Sequence, residues 1–220
     1  WRTGGIVEFS PRPKIPRVRR LQFTLFDWNY AQRLNGGLSN AEFQVKPLGV
    51  EFNSGDQVEV EFTRQGDAPT EAFDVFEGTT VEPGNYWFDR WQVQYEGSRH
   101  RAVFVEAHAN YGKFYSGGGE DYAVSVGGRW QPHLLWSLEY GQTDGRFPES
   151  HFVARTVTTR IDYALTPRLN TTLFAQWNNE SNRAALNARL RWTRTPGSDL
   201  YVVLNSAWPT GFAERSIPWS

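Results

Sequence analysis

Apolar and polar residues alternate with period two along most of this chain. Segment 184–194 is the clearest: Leu186, Ala188, Leu190 and Trp192 fall on one face, and Asn187, Arg189, Arg191 and Thr193 on the other. Segment 169–178 repeats the scheme, with Leu173, Ala175 and Trp177 set against Asn170, Thr172 and Gln176, and only Phe174 departing from it. Upstream, Tyr122, Val124, Val126 and Trp130 oppose Ser125 and Arg129. Trp136, Leu138 and Tyr140 oppose Ser137 and Glu139, and here Leu135 breaks the polar face. Val103, Val105 and Tyr111 oppose Glu106 and His108, Trp91 and Val93 oppose Arg90 and Gln92, and Val58, Val60 and Phe62 oppose Glu59 and Glu61. The phase changes near Pro47 within 40–53, as a bulge would require, and again midway through 18–31.

These segments predict twelve strands, over 4–10, 18–31, 40–53, 56–65, 86–97, 101–115, 121–130, 134–142, 151–165, 169–178, 184–194 and 200–207. Turn chemistry separates them at 11–16, Asn35-Gly36, 53–56, 117–119, Gln131-Pro132, Asp144-Gly145, Thr166-Pro167 and 196–199. No segment has a helical period. Short links (53–56, 98–101, 131–133, 166–168, 195–199) alternate with longer ones (32–39, 66–85, 116–120, 143–150, 179–183), so neighbouring hairpins end on opposite sides. That asymmetry, on strands near the roughly 9–11 residues that cross a bilayer, predicts an all-β, antiparallel up-and-down transmembrane β-barrel occupying 1–220.

Period alone does not decide whether the apolar face meets lipid or a core. Strand-end aromatics tilt the choice toward lipid: Trp91, Trp130, Trp136, Tyr140, Trp177 and Trp192 are candidates for the interfacial girdles. Twelve strands in one family of long hairpins also exceed what a sandwich usually holds. Composition agrees, since ten Trp, nine Tyr and fifteen Phe occur with no apolar run long enough for a membrane-spanning helix. With 23 basic and 24 acidic residues the net charge is −1, without the surplus of positive charge that nucleic-acid binding draws on. The absence of Cys excludes disulfides, thiolate nucleophiles and sulfur-ligated metals.

The stretch NTTLFAQWNNESNRAALNARLRWTRTPGSDLYVVLN (170–205) resembles the closing strands of an uncharacterised family of bacterial outer-membrane barrels. In that family the barrel follows an N-terminal domain similar to family-nine carbohydrate-binding modules. FSPRPKIPRVRRLQF (9–23), FNSGDQVEVEF (52–62) and VEPGNYWFDRWQVQY (81–95) resemble its earlier strands. The resemblance implies a Gram-negative outer-membrane location, with membrane lipid and lipopolysaccharide as surroundings. It supplies no catalytic residues. The chain departs from the family pattern in lacking the carbohydrate-binding-like domain and a recognisable final strand.

The polar faces hold the residues of most functional interest. Arg90, Glu106, Arg129 and Glu139 are candidates to line a lumen, as are Arg160, Asp162, Arg189 and Arg191, with Glu96 and Arg155 beside them. Such charges either pair across strands, which avoids uncompensated charge in a narrow interior, or remain unpaired and set the charge selectivity of a pore. Arg189 and Arg191 are the strongest candidates for the second role. His100, His108, His133 and His151 have no metal-ligand spacing, no cofactor is expected, and 116–120 reads as a flexible glycine loop rather than a phosphate cradle. Acidic loop 66–85, with Asp67, Glu71, Asp74, Glu77 and Glu82, is a candidate for surface calcium or partner docking. Basic segment 11–20 reads as a periplasmic turn facing lipid phosphates.

Three functions remain open: a structural or transport barrel with a polar lumen for a small polar solute or saccharide, a plugged barrel held in a larger envelope protein assembly, and a barrel hydrolase. The last would need a serine converging on His108 and Glu106, and no spacing supplies one. Strand directions add an expectation of incompleteness. If 11–16 is a periplasmic turn, an ascending strand precedes Trp1 and a descending one follows Ser220, in a barrel of 14 or more strands.

Overall fold

A computed structural model of the chain describes residues 1–76, 79–148 and 150–210. Glu77 of the acidic loop and the tail at 211–220 lie outside the described residues. Fifteen strands occur among the described residues: β1 (Arg2–Phe9), β2 (Val18–Leu21), β3 (Phe23–Gln32), β4 (Leu38–Phe52), β5 (Gln57–Asp67), β6 (Phe73–Phe76), β7 (Thr79–Val81), β8 (Tyr86–Glu96), β9 (Val103–Phe114), β10 (Gly117–Trp130), β11 (Leu134–Arg146), β12 (His151–Thr166), β13 (Leu169–Asn178), β14 (Arg183–Thr195) and β15 (Ser198–Pro209). Thirteen form one up-and-down antiparallel sheet that follows chain order from β1 to β15, with β2 paired to β4 off the main path. β6 and β7 form a separate hairpin.

Every expected strand is present, and both phase changes are real. The β4–β5 register shifts between Val45 and Leu48, at the Pro47 bulge. Segment 18–31 is two strands, divided at Gln22, and β3 shifts register against β4 between Thr24 and Asp27. Three expected loops need correction. Gly117–Gly119 begin β10 and are no flexible loop, and Asp144-Gly145 lies inside β11. Both are packed: a Cβ on Gly117 would strike the Arg146 carbonyl and one on Gly145 the Phe152 ring, so these glycines serve close approach rather than turning. Loop 66–85 contains the β6–β7 hairpin. The short-and-long alternation of links is consequently weaker than expected, because strand has absorbed loop: β9 and β10 are joined by 115–116 alone.

The residues cluster into two compact units, Trp1–Val124 with Gln142–Val153, and Ser125–Gly141 with Ala154–Ser220. In the first, register builds rows of like chemistry. Phe62, Trp91 and Tyr111 are cross-strand neighbours, as are Val60, Val93 and Ala109, while Glu61, Gln92 and Asn110 make a row on the opposite face. The apolar rows are the open ones. Trp91 is 48% exposed, Val93 50% and Tyr111 66%, whereas Gln92 and Gln94 are half-buried. Buried hydrophobics among the described residues are few: Ala41, Ala68, Val81 and Phe88.

At the end of β8 nearest the β6–β7 hairpin, the polar face gives way to rings. Phe88 packs on Phe114 and Tyr115 with centroids 5.6 and 5.2 Å apart, and Phe73 of the hairpin meets Tyr115 edge-on at 5.5 Å. Burial, followed by a 2.6 Å hydrogen bond donated to the Asp67 carboxylate, raises the Tyr115 phenol above its usual range. At the opposite end of β8 a turn is clasped by Asp56, which accepts two bonds from Arg101 at 2.6 and 2.7 Å, one from the Ser54 hydroxyl at 2.6 Å and one from the Ser98 amide at 2.9 Å. Led by Arg101, these donors hold the carboxyl far below the usual carboxylate range.

In the second unit the indole of Trp136 lies on Gly128, where a Cβ would stand 2.6 Å from Nε1. We expect Gly128→Val to displace this ring and to cost on the order of 1–3 kcal/mol in denaturant unfolding, whereas Ser137→Val, one residue from Trp136 and on the other face, should be milder. Because the folded-state pKa of Asp56 is depressed, its contribution is present above the unfolded carboxylate pKa of about 4 and is lost as pH falls through the folded value. Asp56→Asn should therefore lower the thermal midpoint at pH 7, and the gap to the unmodified chain should close on acidification below about pH 4.

Candidate functional site: the polar face of the sheet

Alternation on each strand and register between strands assign the candidate lumen residues to a face. In the first unit Arg90 and Glu106 share the polar face with Glu59, Glu61 and Gln94. In the second, Asp162, Thr172 and Arg189 form one cross-strand row; Ala164, Asn170 and Arg191 form the next, and Arg160, Phe174 and Asn187 the one on the other side. Phe174 is therefore an apolar residue within a polar face, as its position in the sequence pattern implies. Trp136 covers Gly128. Arg129 and Glu139, each an odd number of residues from that pair, point to the other side, the polar one.

The girdle candidates fall on the apolar side. Trp177 pairs with Val157 and Ala184, and Trp192 with Leu169 and Leu200, both near strand ends. The Trp177 indole donates to the Thr210 hydroxyl at 2.9 Å. Trp130 ends β10 and is open, and Trp136 and Tyr140 are half-buried on β11. Trp91 stands at the middle of β8.

Charge is organised differently in the two units. In the first unit several charges of this face are paired. The Lys46 ammonium reaches Glu59 at 2.7 Å and Glu61 at 3.2 Å, with all three side chains at 16–20% exposure, and the Gln44 amide donates to Glu61 at 2.8 Å. Arg90 binds Asp121 at 2.6 Å, and Asn110 donates to the other oxygen of that carboxylate at 2.6 Å. Arg99 holds Glu106 at 2.7 Å and approaches Glu96 at 3.7 Å. Arg19 and Arg20 of the basic segment both reach Glu51 at 2.9 Å.

In the second unit Arg160 binds Asp162 at 2.9 Å, and Thr172 donates to the same carboxylate at 2.7 Å. Among the described residues, Arg129, Arg189 and Arg191 have no carboxylate within ion-pair distance. Arg189 lies over the Tyr201 ring at 4.5 Å, and the Nε atoms of Arg129 and Arg191 are buried without a hydrogen-bond partner in the protein.

The histidines are dispersed. His108 comes within 4.0 Å of Asp121, His151 contacts Asp144 at 3.1 Å, and His133 contacts the Ala164 carbonyl at 2.8 Å. Among the described residues no hydrogen bond joins His108 to a serine, and no three His or carboxylate side chains gather where a metal could be held. In segment 66–85, Asp67 accepts from Tyr115 and Asp74 from Thr80.

Lys46, Glu51, Glu59, Glu61 and Asp121 join this face without having been singled out from sequence. Plain alternation contains Glu59 and Glu61. Lys46 is hidden by the bulge that reverses the phase beside it, and Asp121 by its glycine-rich neighbours. We expect Lys46→Met, which leaves two carboxylates facing each other, to cost about 2–3 kcal/mol in unfolding free energy, and simultaneous Glu59→Gln and Glu61→Gln to recover most of that loss. No family model matches the chain, and no curated protein matches it.

Proposed function

We propose that this chain is the wall of an outer-membrane β-barrel whose apolar face meets lipid and whose polar face lines a lumen for a small polar solute. One observation, made on β8 and β9, carries the reading: there the exposed side is the apolar one, while charges and amides on the other side are half-buried and bonded to one another. A sheet folded for water alone has the opposite polarity. On β14 the exposures run the other way, with Asn187 and Arg189 open and Leu186 and Leu190 half-buried. Trp130, Trp177 and Trp192 near strand ends, though not Trp91, and long antiparallel strands in sequential order suit the same reading. The resemblance to outer-membrane barrels of Gram-negative bacteria, with lipopolysaccharide around them, belongs to this proposal.

A second reading, a plugged barrel held in a larger envelope assembly, is favoured by the β6–β7 hairpin. It rests on the aromatic cluster at one end of the polar face, and the Thr79 hydroxyl on β7 is hydrogen-bonded to Ser150 at 2.6 Å. Conductance separates the two. Chain reconstituted in planar bilayers should carry ion current if the lumen is open, and deleting 70–82 should open it if the hairpin is a plug.

Membrane insertion itself is tested on β14, where Leu190 and Asn187 lie on opposite faces close to mid-strand. Leu190→Arg should cost on the order of 2–4 kcal/mol of folding into lipid vesicles, and Asn187→Arg much less. Equal tolerance at the two positions would contradict the membrane reading.

A further inference from the structure

The arginine surplus of the second unit has a definite location. Arg129 lines a hollow of about 300 Å³ together with Gln131, His133, Asp162, Asn170 and Thr172. Its Nε is buried with no partner in the protein. Asn170 is the cross-strand neighbour of Arg191, whose Nε is in the same condition. Thr172 neighbours Arg189, held over Tyr201. The one carboxylate in the hollow, Asp162, is already satisfied by Arg160 at 2.9 Å and Thr172 at 2.7 Å, and the His133 ring is engaged by the Ala164 carbonyl.

Buried guanidinium donors are normally hydrogen-bonded, because leaving one unmade forfeits its desolvation cost. Among the described residues Arg129 has no carboxylate or hydrogen-bond partner of its own, and it lines the hollow beside a carboxylate that is already neutralised, so its terminal guanidinium nitrogens are left for an acceptor from outside the chain. We propose that this hollow is a binding site for an oxyanion, the carboxylate or phosphate group of a small solute, with Arg129 as its principal ligand and Asn170 and Arg191 beside it. The planar guanidinium fork suits two oxygens of such a group, and a cation would meet net positive charge here. The site deepens the lumen reading, on which it rests, by naming the class of solute. It contrasts with the first unit, where Lys46, Arg90 and Arg99 have carboxylates of their own.

The test is thermal unfolding of the detergent-folded chain at constant ionic strength, with chloride replaced stepwise by inorganic phosphate in one series and by acetate in another. A ligand that binds only the folded state raises the midpoint saturably. At least one of the two anions should do so, and the tighter one identifies the group recognised. Arg129→Lys keeps the charge and loses the fork, and should shift the half-saturating concentration on the order of tenfold upward. Arg191→Lys should shift it in the same direction, and Arg64→Lys, whose arginine pairs with Asp89 on the apolar side, should leave it unchanged. No saturable rise with either anion, or a rise unaltered by Arg129→Lys, overturns the site. Heat-modifiable migration of the same samples reports the barrel separately: a compact band without anion binding overturns only the site, whereas a chain that never gives the compact band overturns the lumen reading and the site with it.

Discussion

Cross-strand register is the constraint on which the rest of this structure depends. Side chains alternate along every strand, so a slip of one residue would carry each apolar row to the other face and set charged residues among the exposed valines and aromatics. From β5 through β9 the pairing is continuous and without shift. At the Val45/Leu48 shift the bulge reverses the parity of the polar positions, so that they stay on one face, and Lys46 lies between Glu59 and Glu61. The backbone ladder and the charge pairs therefore specify the same register by independent means.

That register separates two electrostatic regimes on one kind of surface. In the first unit Arg20, Lys46 and Arg90 have carboxylates at hydrogen-bond distance, which makes half-buried charge tolerable. In the second unit the arginines on β10 and β14 exceed the available carboxylates, and two of them bury donors without internal partners. Pairing and the lack of an ion-pair partner, which read as alternatives for the whole set of candidate lumen charges, divide between different residues of that set.

Most of the fold is legible in the sequence because period two is a local signal. The clean alternation at 184–194 and 56–65 corresponds to β14 and β5, and even Phe174 sits where the pattern puts it. Legibility fails where glycine changes meaning. Gly117 and Gly145 read as turns because glycine is most often a turn residue, yet a Cβ at the first would meet the Arg146 carbonyl and a Cβ at the second the Phe152 ring. The β6–β7 hairpin is too short to carry a period. The candidate site was half legible: alternation gives the face of Arg129, Asp162 and Arg191, but whether a given arginine finds a carboxylate is decided by strand pairing, which no local pattern encodes.

The central claim, that the apolar face meets lipid and the polar face does not, is open to a direct measurement because the chain contains no cysteine. Single cysteines introduced at successive positions from 184 to 194 and spin-labelled in lipid vesicles would report collision with oxygen, which concentrates in lipid, and with a water-soluble nickel chelate. The account predicts period-two oscillation, with oxygen accessibility highest at positions 186, 188 and 190 and low at 187, 189 and 191. Oscillation with the opposite phase, or uniform access of the nickel chelate to both sets, would contradict it.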